Sequence, residues 1–363
     1  MNILIDIGHP AHVHLYRNLY FELIKNGHYV IVTTKDLESA TKLLDLYNIP
    51  YTRFFKKSDP ITGKIIMQLF FDWQQLMTVK KHKIDISIGT SITNAHISKI
   101  TGISSIIMDD DDDEVQPLFV KYAHPFADII LSPNVLYGKR KRSDTIYYAG
   151  YHELAYLHPS RFKPDPDVLF ELGLKPNDQY FIMRFNSFKA HHDNGVKGLS
   201  VNQKLQLVNH LSDKGKVFIT TEREIEPELT KYRLRISPDK IHSLLYYATI
   251  FMGDSQTMTS EAAVLGTPAV RCNSFSGSIS YLEEEEHKYG LAFGFKPENF
   301  NSLMDRINML LQEPDLKKEW NNRRLSMLAD KIDVTSFLVW FVENYPLSKS
   351  IMQNNPDYQY NFR

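Results

Sequence analysis

Apolar runs of strand length alternate with amphipathic helical stretches along most of this chain. Residues 2–7 read as a buried strand. After them Val13, Tyr16, Leu19, Tyr20, Leu23 and Ile24 recur at helical spacing as far as Gly27. Residues 29–34 repeat the strand pattern and residues 37–47 the helical one. Such a βαβα opening predicts a parallel sheet with right-handed crossovers. Further strands are expected at residues 84–91, 102–108 and 126–133, then at 180–185, 216–221, 249–252, from Ala269, and at 290–295. His158-Pro159, Pro164 and Pro166 mark a linker between the two series. The pattern predicts an α/β chain of two doubly wound, Rossmann-like domains, residues 1–155 and 156–335, followed by an aromatic helix and a tail over 336–363.

One amphipathic stretch has two readings. Over residues 63–83, Ile65, Ile66, Leu69, Phe70, Trp73, Leu76 and Met77 form one apolar face, and Lys80, Lys81 and Lys83 form a basic end. A core-facing helix is the expectation. Peripheral membrane contact through the face from Ile65 to Met77 is the alternative.

Composition narrows the class. At 363 residues the chain is long for one compact domain, and 43% apolar with 23% charged residues is ordinary for a globular protein. A net charge of -1 gives no global field for nucleic acid or an anionic membrane. The basic loop Gly138-Lys139-Arg140-Lys141-Arg142 is a weak nucleic-acid signal by itself. Cys272 is the only cysteine, which rules out an intramolecular disulfide or a multi-cysteine zinc site. With no leader pattern at Met1 and no long apolar run, a cytoplasmic location is expected.

Four stretches carry candidate chemistry. The first is the strand, polar turn and helix of residues 249–266, where helix N–H groups that lack internal partners can capture a phosphate. Ser255, Gln256, Thr257, Met258 and Thr259 would line that turn, with Glu261 in the first turn of the helix reaching ribose hydroxyls. Plain capping, with Thr257 as the N-cap, is the competing explanation. The second is the turn after the first strand, with Gly8 and three histidines, His9, His12 and His14, where open α/β sheets bind ligands. Proton transfer is assigned to His12 or His14, and zinc is the rival use. The third is the run Asp109-Asp110-Asp111-Asp112-Asp113-Glu114 at a strand end. Crowded carboxylates raise one another's pKa, so one can hold a proton and serve as an acid. Asp109 and Asp110 are expected at the crevice and Asp112, Asp113 and Glu114 in solvent. A divalent cation or plain surface charge would also account for the run. The fourth is Arg184 with Ser187, Lys189, His191 and His192, suited to a diphosphate. The dinucleotide fingerprint G-x-G-x-x-G is absent after the first strand.

These residues also carry a resemblance. The segment Thr257-Met258-Thr259-Ser260-Glu261-Ala262-Ala263-Val264-Leu265-Gly266-Thr267-Pro268 resembles the nucleotide-binding segment of GT-B enzymes. That group holds the MurG-type N-acetylglucosaminyl transferases and the UDP-N-acetylglucosamine 2-epimerases. It is more similar still to an uncharacterised GT-B-like family, domain of unknown function 354. Residues 84–91 and 102–107 match the GT-B N-domain pattern, and residues 147–153 its crossing point. The resemblance implies two domains facing a cleft, a C-terminal helix crossing back to the N-domain, and a nucleotide-sugar donor. It implies donor contacts at Gly8, Arg184, Ser187, His191 and residues 255–261, and chemistry at His12, His14, Asp109 and Asp110. The implied activity is a glycosyltransferase of cell-surface polysaccharide assembly, acting on a glycan or lipid-linked acceptor at the inner membrane face. The alternatives are a UDP-sugar 2-epimerase and a nucleotide-sugar binding protein without turnover. No cofactor is expected, and a divalent cation is not favoured.

Overall fold

The computed structural model describes residues 1–54, 61–185, 198–221 and 225–363, with side chains in the helix from Ile61 described from residue 67 onward. The chain divides into two compact units. One comprises Met1–Arg161 and Lys331–Arg363, the other Phe162–Asp330.

The first unit is built on a seven-stranded parallel sheet. Its strands are β1 (Asn2–Ile7), β2 (Tyr29–Thr34), β3 (Thr52–Arg53), β4 (Ile86–Gly89), β5 (Ser104–Met108), β6 (Ile129–Pro133) and β7 (Ile146–Tyr148). They lie in the order β3-β2-β1-β4-β5-β6-β7. The order reverses beside β1, so the crevice at the carboxyl ends of β1 and β4 is the topological switch point. Gly89, the last residue of β4, pairs there with Asp6. A Cβ on Gly89 would lie 2.9 Å from the Asp6 carbonyl, so only glycine lets the strands close at that position.

The second unit repeats the plan with five strands: β8 (Tyr180–Arg184), β9 (Lys216–Thr220), β10 (Ile250–Gly253), β11 (Ala269–Cys272) and β12 (Ala292–Phe295). Their order is β12-β11-β10-β8-β9, which puts the switch between β8 and β10. Gly253 ends β10 opposite Arg184, and a Cβ there would fall 2.2 Å from the Arg184 carbonyl. The central strands of both sheets are buried on both faces, in keeping with their near-continuous Ile, Val, Leu and Phe runs, while the edge strands β3, β9 and β12 are partly or fully exposed.

The C-terminal segment belongs to the first unit. Helix Val334–Glu343 packs on helix Pro10–Lys25, and Glu343 binds Asn26 and His28. The tail beyond Ser348, which shows no clear sequence pattern, is ordered by aromatic stacking of Tyr358 on Trp340 at 4.8 Å.

The helix Ile61–His82 departs from expectation. Its inward residues are Phe71, Gln75, Thr78 and Val79, while Leu69, Phe70, Trp73 and Met77 are 67, 48, 56 and 43% exposed. Of the expected core-facing stripe, Leu76 does pack on the core, while Leu69, Phe70, Trp73 and Met77 lie outside, and the side chains of Ile65 and Ile66 lie outside the described residues. Helical periodicity locates a stripe but does not say which side of the helix the sheet lies on.

Candidate functional site

Helix Pro10–Lys25 starts earlier than the apolar spacing suggests, because Pro10 is pre-shaped for the first helical position and His9 caps it through Nδ1. This sorts the three histidines. His9 is exposed and occupied in capping. His14 turns inward, 3.3 Å from the Tyr47 hydroxyl and against the Tyr156 ring, so it packs the core instead of facing the crevice. His12 remains at the switch point. Its Nδ1 accepts the Gly8 N–H at 3.2 Å and lies 2.6 Å from the Thr90 hydroxyl. The backbone donor of Gly8, expected on a ligand, is thus spent on His12.

The acidic run divides in the same way. Asp109 is buried, and its carboxylate meets His124 Nε2 at 2.7 Å, Gln116 Nε2 at 2.5 Å and Arg140 Nη1 at 3.1 Å. Asp113 is buried too, 2.7 Å from the same guanidinium and bonded to the Lys141 N–H. This corrects the expectation of a solvated Asp113. Burial raises its pKa, but the Lys141 N–H and Arg140 outweigh that and hold it below the ordinary carboxylate value. Arg140, read from sequence as part of a basic loop, is fully enclosed, and Arg142 donates to the carbonyls of His124 and Ala127. Asp109, Asp113 and His124 bring ligand-type atoms within 4.8 Å of one another. The Arg140 guanidinium already stands between the two carboxylates, where a metal ion would have to sit.

Asp110 is the member of the run presented to the crevice. Its side chain is 25% exposed, and Oδ2 accepts from His152 Nδ1 at 2.9 Å. Burial raises its pKa, yet His152 and then His12 lower it further, and the carboxylate stays ionised. His152 is half of this pair, and sequence reasoning passed over it as part of a crossing point. Its Nε2 is enclosed and without a hydrogen-bond partner, as are the phenol oxygens of Tyr16 and Tyr148, both of which feel the Asp110 charge. Orphaned polar atoms around one carboxylate are where ordered water is held.

Asp111 behaves oppositely. Burial, then the charges of Asp110 and Asp109, push its pKa up to about 7. The crowding argument from sequence thus applies to Asp111. Because the folded state binds this proton more tightly than the unfolded one, Asp111 costs stability as pH rises from the ordinary carboxylate pKa through 7. Asp111→Asn is therefore expected to gain stability over the native chain progressively between about pH 4 and pH 7 and to differ little below. Denaturant melts across that range measure it.

In the second unit, β10 runs into helix Gln256–Leu265, capped by Ser255 through the Met258 N–H at 3.3 Å. Ser255, not Thr257, is the N-cap, which leaves the Gln256 and Thr257 N–H groups at the open end. Ser255, Gln256, Thr257 and Met258 are partly exposed there. The Thr259 side chain is buried and bonds the Ser255 carbonyl at 2.6 Å, so it serves the helix and not the turn. Glu261 lies in the second turn, buried, with His242 Nε2 2.9 Å away. Arg184 ends β8 across the switch point, partly exposed, with Thr220 at 3.3 Å. Ser187, Lys189, His191 and His192 lie outside the described residues. In the acidic segment of residues 283–286, Glu285 is buried on Ser260 and Glu286 accepts the Gly294 N–H.

Solved structures share this architecture. A UDP-GlcNAc 2-epimerase from Neisseria meningitidis bound to UDP-GlcNAc aligns over 95% of this chain and 100% of its own, with TM-score 0.65 and 13% identity. S. aureus MnaA with UDP aligns over 100% and 97%, at 0.65 and 12%. The spinosyn rhamnosyltransferase SpnG with its aglycone aligns over 95% and 100%, at 0.62 and 12%. At such identities the likeness is one of fold, and that fold is GT-B. In sequence the chain is 24% identical over 309 residues to an uncharacterized protein of Methanocaldococcus jannaschii, covering 79% of this chain and 86% of that one. A family model matches residues 1–286, which hold both switch points and every described residue of the two sites, and the chain belongs to that family, described as "Protein of unknown function (DUF354)".

Proposed function

We propose that the protein transfers a sugar from a nucleotide-activated donor, taken here as a UDP-sugar, to a hydroxyl of a glycan or lipid-linked acceptor. The observation that carries this reading is Asp110 just beyond the end of β5, held ionised and oriented by His152 and within the field of His12 from the switch point. A carboxylate and an imidazole at a strand end are what removal of a hydroxyl proton requires. The acceptor proton passes to the Asp110–His12 pair as its oxygen attacks the anomeric carbon. His152 positions Asp110. Within the second unit, the open N-terminus of helix Gln256–Leu265 and Arg184 are suited to the negative charge of a diphosphate. The neighbours bound to UDP and UDP-GlcNAc support that ligand class. Divalent metal is not required in this scheme.

A second reading rests on Asp111. A carboxyl titrating near 7 beside an ionised one forms an acid–base pair, as epimerisation at a sugar carbon needs. Incubation with a panel of UDP-sugars, read by NMR, separates the readings. UDP plus a new glycoside supports transfer. An interconverted UDP-sugar, or UDP plus an altered free sugar, supports epimerisation. Binding without product overturns both and leaves a nucleotide-sugar binding protein.

Glu261→Ala tests the donor side. If the Glu261–His242 pair serves ribose hydroxyls, UDP affinity falls by about 1–3 kcal/mol, the cost of stranding buried polar partners. Titration calorimetry on a variant with native circular dichroism checks it, and unchanged affinity assigns the pair to packing alone.

A further inference from the structure

We propose that the outer face of helix Ile61–His82 is a docking surface for an anionic lipid bilayer. The helix buries Phe71 and Val79 and packs Leu76 on the core, yet leaves a second apolar set, Leu69, Trp73 and Met77, in solvent. It also buries Gln75, whose amide nitrogen and oxygen have no hydrogen-bond partner among the described residues. A helix that encloses an orphaned amide while exposing large apolar side chains carries more apolar surface outward than water alone favours. It has the right face outward for an acyl-chain boundary.

Charge selects a bilayer as the occupant. The apolar stripe ends in Lys80, Lys81 and Lys83, all exposed. Asp72 is the only acidic residue between positions 67 and 83, and it is turned away, bonded to Gln68 and His96. The outward surface of residues 67–83 thus combines an apolar band with a cationic end, the pair of features an anionic interface satisfies, while the exposed Asp85 beyond it is engaged by the Asn2 N–H. His96 also bonds the Tyr122 carbonyl at 2.9 Å, tying the helix to a neighbouring segment that exposes Leu118, Tyr122 and Phe126 alongside Lys121. No helix of the described residues is long and apolar enough to cross a membrane, so the contact is peripheral.

The test needs no substrate, and its failure would leave the proposed reaction untouched. The full chain is mixed with extruded vesicles of phosphatidylcholine alone or with added phosphatidylglycerol, and binding is read by co-sedimentation. Of the three tryptophans Trp73 is the exposed one, with Trp320 buried and Trp340 half-buried, and a Trp73→Phe control assigns the emission change to Trp73. Binding to the anionic vesicles, with a blue shift of Trp73 emission, is expected. Lys80→Glu/Lys81→Glu/Lys83→Glu should weaken it at least about tenfold. Leu69→Gln/Met77→Gln should weaken it comparably, and because these positions are exposed the variants keep native circular dichroism. Absence of binding at low salt overturns the proposal, as does binding that both variants leave unchanged. A concentration-dependent dimer that Trp73→Gln abolishes, without vesicle binding, overturns it in favour of a second copy of the chain.

Discussion

Asp110→Asn lowers turnover by about two to four orders of magnitude and leaves UDP affinity unchanged. The expectation follows from position. Asp110 is the carboxylate of the acidic run that is both presented to the crevice and held ionised, with His152 2.9 Å away and the His12 field beside it. Asparagine keeps the shape and can still accept from His152, but it carries no charge and cannot take up a proton. On the proposed function the donor contacts are residues of the second unit, Arg184 and the helix from Gln256, none of which this change touches, so binding is expected to be spared. His152→Ala should lower turnover as well, but through Asp110. With its partner gone, the Asp110 pKa rises, and the acidic limb of the pH–rate profile moves to higher pH. His152→Gln, which can still donate to the carboxylate, should restore part of the rate. Full activity in Asp110→Asn would remove the carboxylate from the mechanism and leave His12 to be tested alone.

Arg140→Met is expected to destabilise the first unit by about 3–5 kcal/mol, the cost of leaving buried charge without its partner. Arg140 binds the carboxylates of Asp109 and Asp113, the backbone carbonyls of Asp109 and Asp111, and the Ser132 hydroxyl. One guanidinium therefore holds the chain of the acidic run and fixes where Asp110 points. Methionine supplies the volume but strands two carboxylates. Asp113 gives the pH signature. Its folded pKa is depressed, so its contribution is present above the ordinary carboxylate pKa and is lost as pH falls below about 4. Urea melts of Arg140→Met, and of the triple variant that adds Asp109→Asn and Asp113→Asn, check the argument. The triple variant should recover much of the loss, because removing all the charges together leaves none unpaired. A stable Arg140→Met would show that the network is worth little.

The alternation of strand and helix, the doubly wound units and the strand-turn-helix ending in residues 256–265 were all legible in the sequence. These depend on local spacing, on glycine and proline positions and on capping, and all of those are written in short windows of chain. The histidine turn and the acidic run were legible as places. Which residue in each would face the crevice was not, because that depends on partners far away in sequence: Thr90 for His12, Tyr47 and Tyr156 for His14, His152 for Asp110, and Arg140 for Asp109 and Asp113. Only the tertiary structure decided that Asp113 is buried, that Asp111 holds the raised pKa and that the stripe containing Trp73 faces outward. The physical reason is the same in each case. Burial and electrostatic partnership are properties of what surrounds a side chain, and periodicity reports only what repeats along the chain that carries it.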